Sequence, residues 1–65
     1  MFNHSMLRAT LIMNGIDRKE LANALGINVS TLSKKMCGKN SWRLEELKIM
    51  TKILGKQRMF EIFLS

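Results

Sequence analysis

Residues 17–38 read DRKELANALGINVSTLSKKMCG, and the fold is decided by how this stretch is parsed. Asp17 stands where it can cap a helix, Glu20 follows three residues later to complete a capping box, and Ile16 is spaced to staple Leu21 across the first turn. Leu21, Ala22 and Leu25 then form an apolar stripe that Gly26 stops. The same grammar starts again immediately: Asn28 can cap, Ile27 can staple Leu32, and the next stop is Gly38. Two capped helices joined by Gly26-Ile27-Asn28 have too short a junction for a relaxed antiparallel return. A glycine there permits the sharp bend of a helix-turn-helix.

Outward from this pair, the remaining glycines at 15 and 55 divide the chain into further segments of helical period. A first helix is expected from Ser5 to Asn14, with Leu7 and Leu11 on one face and either Asn3 or Ser5 as its cap. Beyond the connector Lys39-Asn40-Ser41 and Trp42, a fourth helix is expected to bury Leu44, Leu47, Met50, Thr51 and Leu54. Glu45 and Glu46 suit its first turn and Lys52 its last. Arg43 stands where a serine or threonine would cap it, so either Ser41 caps earlier or that end is held less firmly. A short fifth helix, Gln57 to Leu64, is expected to turn Met59, Ile62 and Phe63 inward. Strand-like alternation is not sustained anywhere and proline is absent, so the expected architecture is all-α, one domain over residues 1–65.

With 65 residues such a chain buries only about 60% of the surface it exposes when unfolded, which argues against an internal active-site cavity. Eleven Lys plus Arg against five Asp plus Glu give a formal charge of +6, which favours a polyanionic partner and, first among these, nucleic acid. One histidine, His4, and one cysteine, Cys37, with no partner motif supply neither a metal site nor a nucleophile, and no paired carboxylates suggest acid–base catalysis. Neither an enzyme nor a cofactor is expected. A single cysteine suits a reducing cytoplasm; no apolar run approaches the roughly 18 residues that span a bilayer, and Leu11 to Met13 is too short for a signal-peptide core.

At roughly 100° per residue, the helix from Asn28 to Cys37 puts Val29, Leu32 and Met36 on one stripe and Ser30, Lys34 and Cys37 on the far side, flanked by Thr31 and Ser33. Short hydroxyls and a lysine can lie in a major groove and donate to base edges or phosphates. Lys39, Asn40 and Arg43 form a polar, basic edge after this helix, suited to backbone contacts, and Lys35 can extend toward phosphate along its aliphatic stem. Trp42 is expected as a lid on the core, since binders of single strands need several aromatics.

The run Leu21-Ala22-x-x-Leu25-Gly26-Ile27-x-x-Ser30-Thr31-Leu32-Ser33-Lys34, with Gly38-Lys39, resembles the helix-turn-helix core of the phage repressor and Cro class. The likeness continues through Leu44-Glu45-Glu46-Leu47 to Glu61-Ile62-Phe63, and is to short Cro-like regulators of phages and prophages in Gram-positive bacteria. It implies a compact five-helix, lambda-repressor-like domain that binds a palindromic operator in double-stranded DNA as a homodimer, in the cytoplasm of a bacterial host at its nucleoid. It places Val29, Ser30, Ser33 and Lys34 at base edges and Arg18, Lys39 and Asn40 near phosphates; Asn28, Thr31, Lys35 and Arg43 join the phosphate set. Val29 has two readings: helix geometry sets it beside Leu32 and Met36, whereas the family pattern lets it touch a thymine methyl. Lys35 and Met36 depart from the commoner pattern of an apolar or aromatic residue followed by Glu.

Ile49 and Ile53, four apart and away from Leu44 and Leu47, and Phe60 with Leu64, four apart again, are more apolar surface than one small core needs. Either these four residues form a homodimer patch, or the last helix folds over Ile53. The surplus also sustains a second functional reading, a regulator that acts by contacting another repressor protein. A third, a membrane-surface peptide from Met59 to Leu64, is disfavoured because that segment is short and weakly basic.

Overall fold

Each of the first three helices starts where a side chain supplies the acceptor that the first backbone amides lack. In the computed structural model, which describes residues 2–64, Asn3 Oδ1 accepts the Met6 amide at 2.9 Å and opens α1 (His4–Met13). The cap is therefore Asn3 rather than Ser5, and the helix begins one residue earlier than expected. Asp17 Oδ1 accepts the Glu20 amide at 2.8 Å while Glu20 Oε1 accepts the Asp17 amide at 3.3 Å, a reciprocal box that opens α2 (Arg18–Leu25). Asn28 Oδ1 accepts the Thr31 amide at 2.8 Å and opens α3 (Val29–Met36). Between these two, Gly26 takes φ 72°, a left-handed conformation strained for any residue with a Cβ, and the Ile27 amide returns to Ala22 O at 3.0 Å.

Cys37 caps the C-terminus of α3, and the chain then passes through an irregular stretch to α4 (Leu44–Leu54) and, after Gly55 alone, to α5 (Lys56–Leu64). The termini are tied together, since the Asn3 amide donates to Ile62 O at 2.8 Å. The result is a compact all-α domain of five helices. Its radius of gyration, 10.6 Å, matches the value of about 11 Å that a close-packed chain of this length has. Among the described residues no helix is long and apolar enough to cross a membrane.

All five helices contribute to one core. Leu7 and Leu11 come from α1; Leu21, Ala22 and Leu25 from α2; Leu32 and Met36 from α3; Met50 from α4; Met59 and Ile62 from α5. Three sequence expectations need correction. Leu44 is 68% exposed, because α4 is turned so that Glu46 and Met50, four residues apart, face inward, with Leu47, Thr51 and Leu54 half-buried beside them. Phe63 is 50% exposed and meets the edge of Phe2 with ring centroids 6.0 Å apart, instead of entering the core as Ile62 does. Ile49, expected at a free surface, is half-buried and packed against the core.

The contrast within α4 gives a direct test. Met50→Ala is expected to lower the free energy of unfolding by about 2–5 kcal/mol, while Leu44→Ala changes it by less than about 0.5 kcal/mol. Urea unfolding followed by circular dichroism checks both, and equal losses would contradict this orientation of α4.

Candidate nucleic-acid interface

The inner face of α3 is fixed by Leu32 and Met36, both essentially inaccessible, and its outer face follows from that anchoring. Ser30, Lys34 and the Cys37 cap are exposed, and Thr31 and Ser33 are half-buried at the flanks. Val29 is 40% exposed and stands outside the core cluster, which favours the outward of its two readings. A residue at the first helical position has no preceding turn to pack beneath it.

The hydrogen bonds on this face divide the chemistry of its two serines. Ser30 Oγ donates to Asn28 Oδ1 at 2.9 Å, so its proton is occupied and its free lone pair can only accept. Ser33 Oγ instead accepts from Arg18 Nη1 at 3.1 Å, which leaves its proton available to donate. That second bond also crosses from α2 to α3, and brings a guanidinium expected at phosphate beside a hydroxyl expected at a base edge. With Asn28 Oδ1 holding both Thr31 N and Ser30 Oγ, the Asn28 amide nitrogen is what remains to project outward.

The basic connector is folded back onto the end of α3. The Lys39 amide donates to Lys34 O at 2.9 Å and the Asn40 amide to the same oxygen at 3.4 Å. The side chains of Lys39, Asn40 and Arg43 are exposed. Arg18, Lys34, Lys39 and Arg43 thus leave their charges in solvent on α2, on α3 and on the connector that follows it, where a polyanion can reach them.

Lys35 does not belong to that set. Its Nζ lies 2.9 Å from Glu46 Oε1 and 3.0 Å from Ser41 O, and stands 6.0 Å from the Trp42 ring centroid. The expected phosphate contact is corrected accordingly: Lys35 follows Leu32 by three residues, which places it on the inner half of α3, where the Glu46 carboxylate needs a counter-charge. Glu46 also settles how α4 begins. Arg43 offers no side-chain cap; Glu46 Oε1 accepts the Arg43 amide at 2.8 Å, and Ser41 contributes its carbonyl to Lys35 rather than a cap. Burial pushes the Glu46 carboxyl up, but the Arg43 amide and the Lys35 ammonium outweigh it and hold the group below its ordinary value.

Trp42 lies half-buried against the core with Phe2 stacked on it at 5.7 Å, an arrangement of a lid and not of a platform for bases. His4 packs 4.7 Å from Phe2, Cys37 is a free thiol, and no three His, Cys, Asp or Glu side chains among the described residues gather as metal ligands.

Between α4 and α5, Leu44, Leu47, Thr51, Lys56, Met59, Phe60 and Phe63 line an open groove of about 310 Å³. The expected patch of Ile49, Ile53, Phe60 and Leu64 is divided by it. Phe60 is 67% exposed and opens into the groove, whereas Ile49 and Ile53 lie roughly 140° and 180° around α4 from Leu44 and do not line it. Leu64 is exposed next to Phe60 on α5, outside the groove lining.

Comparison of the chain with protein-family models, with curated proteins and with solved structures gives no match.

A carboxyl held below its ordinary value stabilises the fold fully above pH 4.5 and loses that contribution as pH falls from there through the lower folded value. Between neutral pH and about pH 3, the Tm of the native chain is therefore expected to drop more steeply below pH 4.5 than that of Glu46→Gln, which has no proton to bind there. Parallel melting curves would show that Glu46 contributes nothing of the kind.

Proposed function

We propose that this chain is a lambda-repressor-like helix-turn-helix protein of the phage repressor and Cro type, which binds an operator in double-stranded DNA and regulates transcription. The observation that carries the reading is the outer face of α3: short polar side chains and one lysine, on a helix anchored through Leu32 and Met36, flanked by solvent-exposed cations. A helix so furnished fits a major groove about 12 Å wide without steric conflict. The three-residue turn between α2 and α3, closed at Gly26, and the formal charge of +6 support the same reading.

In this reading Lys34 donates to guanine O6 or N7, Ser33 donates to an acceptor, Ser30 accepts from an exocyclic amine, and Val29 meets a thymine methyl. Arg18, Asn28, Thr31, Lys39, Asn40 and Arg43 contact phosphates and set the register. Two copies on a palindrome would place their α3 helices about 34 Å apart, joined through the exposed apolar side chains around Phe60, with Leu64 beside it and Ile53, on the opposite side of α4, left out. No cofactor and no catalysis enter. The place of action would be the nucleoid of a bacterial cytoplasm.

A second reading is favoured by the α4–α5 groove: a regulator that keeps this fold but acts by gripping another repressor protein. Selection of bound duplexes from a random pool at stated salt separates the two, since a palindromic consensus supports operator binding and sequence-independent enrichment supports the other.

Six phosphate contacts from Arg18, Lys39 and Arg43 of two copies imply a slope of log affinity against log salt of about −5. Lys39→Ala is expected to reduce that slope by about 2 and weaken all duplexes alike, because the connector stays locked and Arg18, Asn40 and Arg43 still set the register. Lys34→Ala should change preference at particular base pairs by roughly 1–3 kcal/mol. Identical behaviour of the two variants in fluorescence anisotropy titrations would contradict the assigned reading face.

Phe60→Glu places a charge in the apolar groove and is expected to shift the chain toward monomer on DNA, weakening operator binding while helicity is retained. Sedimentation equilibrium with and without duplex is the check; an unchanged stoichiometry would remove Phe60 from the interface.

A further inference from the structure

One nitrogen and one oxygen join three parts of the proposed interface. Lys35 Nζ, near the end of α3, donates to Glu46 Oε1 in the first turn of α4 at 2.9 Å and to Ser41 O in the connector at 3.0 Å. The same Oε1 accepts the Arg43 amide at 2.8 Å. Both side chains are nearly inaccessible, 7% and 5% exposed, so neither ion can contact a nucleic acid directly. Backbone hydrogen bonds from α3 into the connector reach no further than Asn40. From Ser41 to Arg43, this ion pair supplies the polar attachment to α3 and Trp42 the packing, while the Arg43 carbonyl separately accepts the Leu47 amide of α4 at 3.0 Å.

Stability alone does not account for such a pair. Two apolar side chains of the same volume often hold a fold as well as a buried ion pair or better, because they carry no desolvation penalty. What they lack is direction: methionine cannot donate to the Ser41 carbonyl and leucine cannot accept the Arg43 amide. Lys39, Asn40 and Arg43, the exposed groups at and around this connector, are the phosphate contacts of the proposed function, and phosphate contacts fix how a reading helix is registered on the duplex.

We propose that Lys35 and Glu46 are positioning residues for sequence discrimination: they lock the 39–43 connector to α3, so that the phosphate contacts dictate the register in which Ser30, Ser33 and Lys34 meet base edges. The inference rests on the DNA-binding reading and assigns the pair a role in specificity without contact to DNA.

The test is the double variant Lys35→Met/Glu46→Leu, which removes one charge of each sign and leaves the formal charge at +6. Long-range attraction to DNA is thereby held constant. The variant is expected to unfold cooperatively in urea as the native chain does, and to lose protection of the Arg43 amide in hydrogen exchange. Its affinity for the selected operator relative to a scrambled duplex of equal length should fall by about tenfold or more, with affinity for the scrambled duplex changed less than about threefold.

The exchanged pair Lys35→Glu/Glu46→Lys supplies a second arm. It keeps two opposite buried charges but has no donor at 35 for Ser41 and no acceptor at 46 for Arg43, so it should lose discrimination as well. A folded double variant with an undiminished operator-to-scrambled ratio, or an exchanged pair that restores it, overturns the positioning role. A native chain without preference for any duplex overturns the DNA-binding reading instead, and Arg43 exchange then still reports whether the connector is locked.

Discussion

Helices of eight residues, such as α2 and α3, do not persist alone in water, because the cost of nucleation outweighs the few hydrogen bonds that follow. They exist here because Leu21, Ala22 and Leu25 on one and Leu32 and Met36 on the other are sealed against α1, α4 and α5. That shared burial is the constraint on which everything else depends. It fixes the rotation of α3 about its own axis, and hence which of its side chains look outward. An interface assembled on so short a helix is only as well aimed as the core beneath it.

What the sequence revealed and what it hid follow from the range of the interactions concerned. The caps at Asp17 and Asn28 and the stops at Gly26 and Gly38 are local, complete within a few residues, and appear in the structure at the positions their spacing demands. The outer face of α3 was legible for the same reason: once Leu32 and Met36 are buried, helical geometry disposes of Ser30 and Lys34. Leu44 and Phe63 were misjudged because Leu44 flanks the half-buried Leu47 and Thr51 on the wheel and Phe63 adjoins the buried Ile62, and only the angle of packing decides which side of the boundary each falls on. Lys35 and Glu46 were missed for a different reason. Eleven residues separate them, each alone looks like a surface charge, and the inward position of one makes sense only beside the other. A faint signal was present, since Lys35 is spaced three residues from Leu32 and adjoins Met36 on the buried side of the wheel.

Within the proposed function, the chemistry available on α3 is modest, and this shapes how specificity has to arise. Hydroxyls offer single hydrogen bonds, not the bidentate pairs that asparagine, glutamine or arginine make with purines. Here one hydroxyl is limited to accepting by Asn28 and the other is oriented to donate by Arg18, so their ambiguity is reduced before any base approaches. A reader with few strong bonds depends more heavily on how accurately it is placed. Accuracy of placement is the province of phosphate contacts and of whatever holds them in relation to the helix.

Helix α4 is the element through which these requirements meet. Its first turn holds the end of α3 and the connector through Glu46, its middle enters the core at Met50, and its Leu44, Leu47 and Thr51 form one wall of the apolar groove. Under the proposed reading, a duplex engaging α3 and a second protein surface filling the groove would therefore bear on different faces of one eleven-residue helix. Coupling between two such sites needs no conformational change of its own: whatever orders α4 from one side lowers the ordering still to be done from the other, and the effect is reciprocal by linkage. Under that reading, DNA engagement and apolar association would reinforce one another through a helix that itself need touch no base.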